Sequence, residues 1–246
     1  MQILAALIAG AALLVGLAVW HRKRPAGLRR LRAWTSLNRA VDDAAGSGER
    51  LHLALGAGNL LHPEGAAGLT GLAVLRRLAA RTARSRNATV ATSGDAALHL
   101  LAVDSLRAGY GDAGVQEVFQ PGTGRLAGIG AFPYAAGALP MLMDENVSIA
   151  VLAGRFGPEA ALLSEAAERS DALVVGATDD LTGQAVTFAS ASESAIGEEL
   201  FAAGAYLGQG PWHTASLTLQ DILRWLVILF LLAGAAARLL GWAWLG

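Results

Sequence analysis

Apolar residues fall into three patterns along this chain: long unbroken runs near its two ends, three- and four-residue steps, and short blocks. The run from Ile3 to Trp20, ILAALIAGAALLVGLAVW, holds no charge. As a helix it would reach roughly 27 Å, close to the ~30 Å of a hydrocarbon core. Gly10 and Gly16 offer small positions for close helix packing. A cleaved signal peptide would carry a positive leading region and a small-x-small cleavage site next to the basic stretch. Met1-Gln2 carries no charge and Ala18-Val19-Trp20 is no such site, so a retained membrane helix is expected. The second run starts near Ile222 and reads ILRWLVILFLLAGAAARLLGWAWLG, broken only by Arg224 and Arg238. Arg238 is placed to snorkel to the interface or to meet a partner chain.

Between the runs the pattern changes. Leu28, Leu31, Trp34, Leu37, Val41 and Ala44 form one helical stripe, with Arg29, Arg30, Arg32 and Arg39 off it. Such a helix suits a membrane surface or a domain face. LHLAL (51–55), ATVAT (88–92) and VQEVF (115–119) read as strands. Helices are expected over 67–86, with Leu72, Leu75, Ala79 and Thr82 inward and Arg77, Arg81 and Arg84 as a basic ridge, and over about 95–109. VSIAVLAG (147–154) and ALVVGATDD (172–180) repeat the strand signal, with a helix opened by Gly157-Pro158-Glu159 between them. QAVTFA (184–189) reads as one more strand, and Ser192 as the cap of a helix to about Leu207. Strands alternating with helices predict an α/β fold with a parallel sheet covered on both faces. RLHLALGAG with ATVATSGD parallels NVSIAVLAG with ALVVGATDD, so the expectation is Rossmann-like: a mostly parallel sheet of two related βαβ halves, flanked by an N-terminal and a C-terminal transmembrane helix.

The uncharged stretch 126–143, LAGIGAFPYAAGALPMLM, is long enough to raise a third crossing. Its three glycines and two prolines make a poor continuous helix, and a crossing would part the two halves of one sheet. Core or a subunit contact is the better expectation.

Composition agrees. The chain of 246 residues is 54% hydrophobic and only 16% charged, unlike an ordinary soluble enzyme or a disordered tail. All six tryptophans lie in or beside the terminal runs, as in interfacial belts. The basic string HRKRPAGLRRLR (21–32) follows the first run, which places the intervening segment in the cytoplasm and both ends outside. The expected organisation is therefore a membrane helix over 1–20, a basic juxtamembrane amphipathic helix over 21–47, a cytoplasmic α/β domain over 48–220 and a membrane helix over 221–246. The net charge of −1 gives no reason to expect nucleic acid as a partner.

Candidate chemistry is sparse. Cysteine is absent, which removes disulfides, thiolate metal sites and Cys nucleophiles. The histidines are dispersed, and His52 reads as a satisfied strand residue. Asp144-Glu145-Asn146 reads as a turn before a strand, with Mg²⁺ or Ca²⁺ binding as the alternative. Gly56-Ala57-Gly58 begins like a dinucleotide fingerprint, but position 61 is Leu and the next helix starts late. There is no Gly-x-Ser-x-Gly elbow and no Walker A string. The ligand-site candidates are Thr92, Ser93, Gly94 and Asp95, with Thr178, Asp179 and Asp180, because both groups sit where strands end and helices begin. The same residue types serve as ordinary helix caps.

MDENVSIAVLAGRFGPE (143–159), EELFAAGAYLG (198–208) and the QDILRW boundary (220–225) resemble an uncharacterised bacterial membrane-protein family, a domain of unknown function. The resemblance implies a membrane-anchored α/β domain and carries no catalytic residue. The leading expectation is a structural protein at the cell membrane whose partners are the lipid bilayer and copies of itself, assembled as a homo-oligomeric scaffold. The alternative is a sensor or enzyme for a small anionic or nucleotide-like molecule at the strand ends. No motif requires an enzyme or points to a cofactor or a metal.

Overall fold

The computed structural model describes residues 2–23, 28–60, 62, 65–208 and 210–239. Arg24, Leu61, Pro63, Trp242 and Trp244 lie outside the described residues. The chain divides into two compact units, one of residues 1–28 with 208–246 and one of residues 29–207.

The first unit is a helix pair. α1 (Gln2–Lys23) packs along α9 (Pro211–Leu239), with Ala18 and Ala215 buried and His21 Nε2 3.0 Å from Thr218 Oγ1. A side chain at Gly10 or Gly16 would meet nothing within 4 Å, so the alanines and not the glycines make this approach. Pro211–Ala236 is long and apolar enough to cross a membrane; α9 thus starts well before the expected Ile222.

The second unit runs α2 (Arg32–Ser47), β1 (Arg50–Gly56), α3 (Ala66–Thr82), β2 (Val90–Ser93), α4 (Ala96–Asp112), β3 (Gly124–Leu126), α5 (Ala131–Asp144), β4 (Val147–Arg155), α6 (Ala160–Arg169), β5 (Leu173–Thr178), α7 (Leu181–Ser190), β6 (Glu193–Ala195) and α8 (Ala203–Tyr206). All six strands are parallel, in the order β3-β2-β1-β4-β5-β6. Leu51, Leu53, Leu55, Ile149, Val151 and Val175 point to one face, which α2, α3, α4 and α8 cover. Ala54, Ala150, Leu152 and Val174 point to the other, under α5 and α6. Burial on both faces explains why β1, β4 and β5 read as near-continuous apolar blocks.

The amphipathic stripe at the start belongs to this body: Trp34, Leu37 and Val41 are fully buried on the sheet, and the helix begins at Arg32. The basic ridge is tied down residue by residue. Arg77 Nε donates to Leu207 O (2.9 Å), Arg81 binds Asn38 and Asp42, and Arg84 donates to Ala113 O (2.8 Å).

Three local expectations change. VQEVF is not a strand: Gln116–Val118 forms a 3-10 turn, with Phe119 against Tyr110, and the third strand is Gly124–Leu126. QAVTFA is helical, inside α7, because Asp180 caps that helix and its buried face is Gly183, Gln184 and Thr187. Ser192 caps no helix; its hydroxyl accepts from Val174 N (3.0 Å) and docks the edge strand β6. The 126–143 stretch folds mainly as α5, with Tyr134, Ala135, Ala138, Met141 and Leu142 buried. Gly137 is needed there because a Cβ would overlap the Ala127 carbonyl.

Candidate functional site

The carboxyl ends of the strands are closely packed. Gly56 (φ +75°) lets β1 run against β4, since a Cβ would collide with the Arg155 carbonyl. Gly94 N donates to Gly56 O (2.8 Å), joining the loops after β1 and β2. The helix after β1 starts only at Ala66, so Gly56-Ala57-Gly58 presents no helix N-terminus to a phosphate. Arg155 stands at the end of β4 and reaches Asp179 (3.3 Å) and Asp180 (3.6 Å).

The two groups of candidate residues behave alike. Asp95 caps α4 by accepting from Leu98 N (2.8 Å), and Asp180 caps α7 by accepting from Gly183 N (3.0 Å). Thr178 Oγ1 accepts from Phe156 N (3.0 Å) and donates to Phe156 O (3.1 Å), clamping β5 to β4. Burial pushes the Asp179 carboxyl up, against the pull of Arg155, and its Oδ1 is buried without a partner. Ser93 Oγ is likewise buried and unpartnered. β2 and β5 stand three strand spacings apart, about 14 Å. The structure therefore does not bring the Thr92 group and the Thr178 group onto one small ligand.

A different set of residues converges on the face covered by α5. His52 Nε2 lies 2.9 Å from Thr92 Oγ1, which lies 3.0 Å from the Tyr134 hydroxyl. All three side chains are buried, and this line joins β1, β2 and α5. Thr92 also lines a cleft of about 290 Å³ with Arg125, Met141, Asp144 and Glu145. Its apolar walls come from Leu126, Ala127, Gly137 and Pro140. Arg125 Nη1 donates to Glu145 Oε1 (2.5 Å), and Arg50 pairs with the other Glu145 oxygen.

A family model described as a domain of unknown function matches residues 1–245. The chain belongs to this family, DUF6754. No curated protein and no solved structure matches it.

In this DUF6754 chain the buried line is electrically asymmetric. Burial lowers the His52 pKa to about 4, with Glu145 opposing and Arg125 reinforcing the shift, so His52 is neutral near pH 7. Its Nδ1 has no partner. Burial also pushes the Tyr134 phenol up, so it stays a hydroxyl. Glu145 is held below the usual carboxylate range; burial acts against this, and Arg125 and Arg50 overcome it. Asn146 takes a left-handed φ of 52°, and the expected turn is Glu145-Asn146 alone, because Asp144 closes α5. Among the described residues no three His, Cys, Asp or Glu side chains gather to hold a metal. Sequence reasoning missed Arg125 and Tyr134 as site residues. Arg125 sits in a strand with no apolar alternation, and Tyr134 lies in a stretch whose composition speaks only of packing.

Proposed function

We propose that this DUF6754 protein is a membrane-anchored scaffold whose cytoplasmic, Rossmann-like α/β domain self-associates. The observation that carries the reading is a pair of uncovered apolar patches at opposite edges of the sheet. At the β3 edge, Ile129, Phe132 and Met143 are more than half exposed, within a stretch free of charge from 126 to 143. At the β6 edge, Leu181 and Phe188 of α7 are more than two-thirds exposed. Monomers rarely leave such patches uncovered. Two unlike patches at opposite edges suit a head-to-tail contact, which closes a ring or extends an array. The strand order supports the Rossmann-like reading, with β1 and β4 central and β2 and β5 flanking them, as two related βαβ halves would stand.

The test is mass measurement of the full chain in mild detergent. Wild type should be oligomeric at micromolar concentration, and Ala136→Arg on the outward face of α5 or Phe188→Arg should each dissociate it. Mixing the two variants should restore a dimer, because each keeps the patch the other lacks. A monomeric wild type overturns the proposal. Gly137→Arg is unsuitable, since any side chain there strikes the Ala127 backbone.

The anchoring has its own measurement. α1 and α9 are proposed to cross the membrane together, with the basic string after α1 holding the α/β domain inside. Reporter fusions at the C-terminus and near Gly111 should mark opposite sides of the membrane; the same side for both rejects the arrangement. The alternative, a small-molecule sensor or enzyme at the strand ends, has less support because its two residue groups stand apart and both acidic caps are spent on helix termini.

A further inference from the structure

We infer that the cleft beside β3 is a binding site for a small zwitterion of the α-amino-acid class. The inference differs from self-association in its readout, binding against mass, and uses neither strand-end group as a whole. Leu126, Ala127, Gly137, Pro140 and Met141 do belong to the 126–143 stretch proposed to self-associate. The cleft's volume of about 290 Å³ suits a molecule of that size and is small for a nucleotide.

Its rim offers one spare group of each sign. Arg125 spends Nε on Gly122 O (3.1 Å) and one N–H from each terminal nitrogen on Glu145, leaving two of a guanidinium's five N–H donors unspent. The Asp144 carboxylate, on the same cleft, has neither a hydrogen bond nor an ion pair among the described residues. Glu145 is already divided between Arg50 and Arg125. A carboxylate on Arg125 and an ammonium on Asp144 would satisfy both spare groups without breaking an existing pair.

Apart from Glu145, which Arg50 and Arg125 pair, the rest of the lining is uncharged: Leu126, Ala127, Pro140 and Met141 would meet an aliphatic side chain. The floor is polar. Thr92 has one hydroxyl proton and two polar neighbours, His52 and Tyr134, while His52 Nδ1 stays unpartnered at full burial. A lone anion would face Asp144, and a lone cation would face Arg125. A molecule bearing both charges avoids each repulsion.

The experiment measures binding of the common protein amino acids to the full chain in mild detergent, by thermal shift and titration calorimetry. Their N-acetyl and amide derivatives, each lacking one charge, serve as controls. At least one amino acid should raise Tm by a few degrees at millimolar concentration, and its two derivatives should not. Asp144→Asn and Arg125→Gln should each weaken binding by about tenfold or more, the loss expected for one charged hydrogen bond. Asp144 is exposed and supports no neighbour, so its variant keeps the fold. Binding that survives both substitutions, derivatives that bind equally well, or no response to any amino acid overturns the inference. Each outcome is read from affinity and leaves the mass measurement of self-association untouched.

Discussion

Trp34→Ala should cost the α/β domain about 3–5 kcal/mol, the usual penalty for emptying a buried tryptophan site. Trp34 is fully buried, and its indole Nε1 donates to Glu199 O at 3.2 Å, tying α2 to the turn after β6. Leu37 and Val41 follow it onto the same sheet face, so the loss would loosen the whole contact of α2. Arg39→Ala, on the exposed side of the same helix, should change stability by no more than about 0.5 kcal/mol. Denaturant unfolding of the full chain in mild detergent reads both. Equal, small effects would mean that α2 works as a membrane-surface helix and not as part of the sheet's cover.

Acid should weaken the same domain through His52. Its pKa is lowered from 6.5 to about 4 by burial, so the folded state refuses a proton that the unfolded chain accepts. Above pH 6.5 both states hold a neutral imidazole and this group costs nothing. As the pH falls from about 6.5 to 4 the unfolded state is favoured, by about 3 kcal/mol in total. Glu145, held low in the folded state, adds its own loss as the pH falls below the ordinary carboxylate range, overlapping the acid end of that window. His52→Gln keeps a polar reach toward Thr92 and cannot take the proton. Its stability should therefore fall less steeply than wild type across that window, whatever its value at pH 7. Parallel curves for the two proteins would mean that the native state charges His52 without cost.

Much of the fold is legible in local pattern. β1, β4 and β5 are buried on both faces, which forces unbroken apolar blocks, and α3, α4 and α6 each bury one stripe, which forces helical steps. Asp95 and Asp180 could be recognised as caps because capping depends only on residues three apart in sequence. The apolar run that forms the later part of α9 was plain for the same reason: hydrocarbon demands length and absence of charge and nothing else.

The edges and the cleft were decided by tertiary structure alone. β3 is Gly-Arg-Leu and β6 is Glu-Ser-Ala, edge strands with a neighbour on one side only and no need of an apolar block. QAVTFA could serve either period. It became a helix because Gly183 packs so closely on Phe156 that a Cβ would overlap its carbonyl, an approach set by a residue 27 positions earlier. α5 forms across Gly137 and Pro140 because its buried side finds the sheet, outweighing weak helix propensity. Arg125, Glu145, Asp144 and the line from His52 to Tyr134 come from four strands and helices and the turn before β4. Composition and periodicity describe one segment at a time, so a site built by strand order and by one helix leaving a sheet margin open leaves no mark in them.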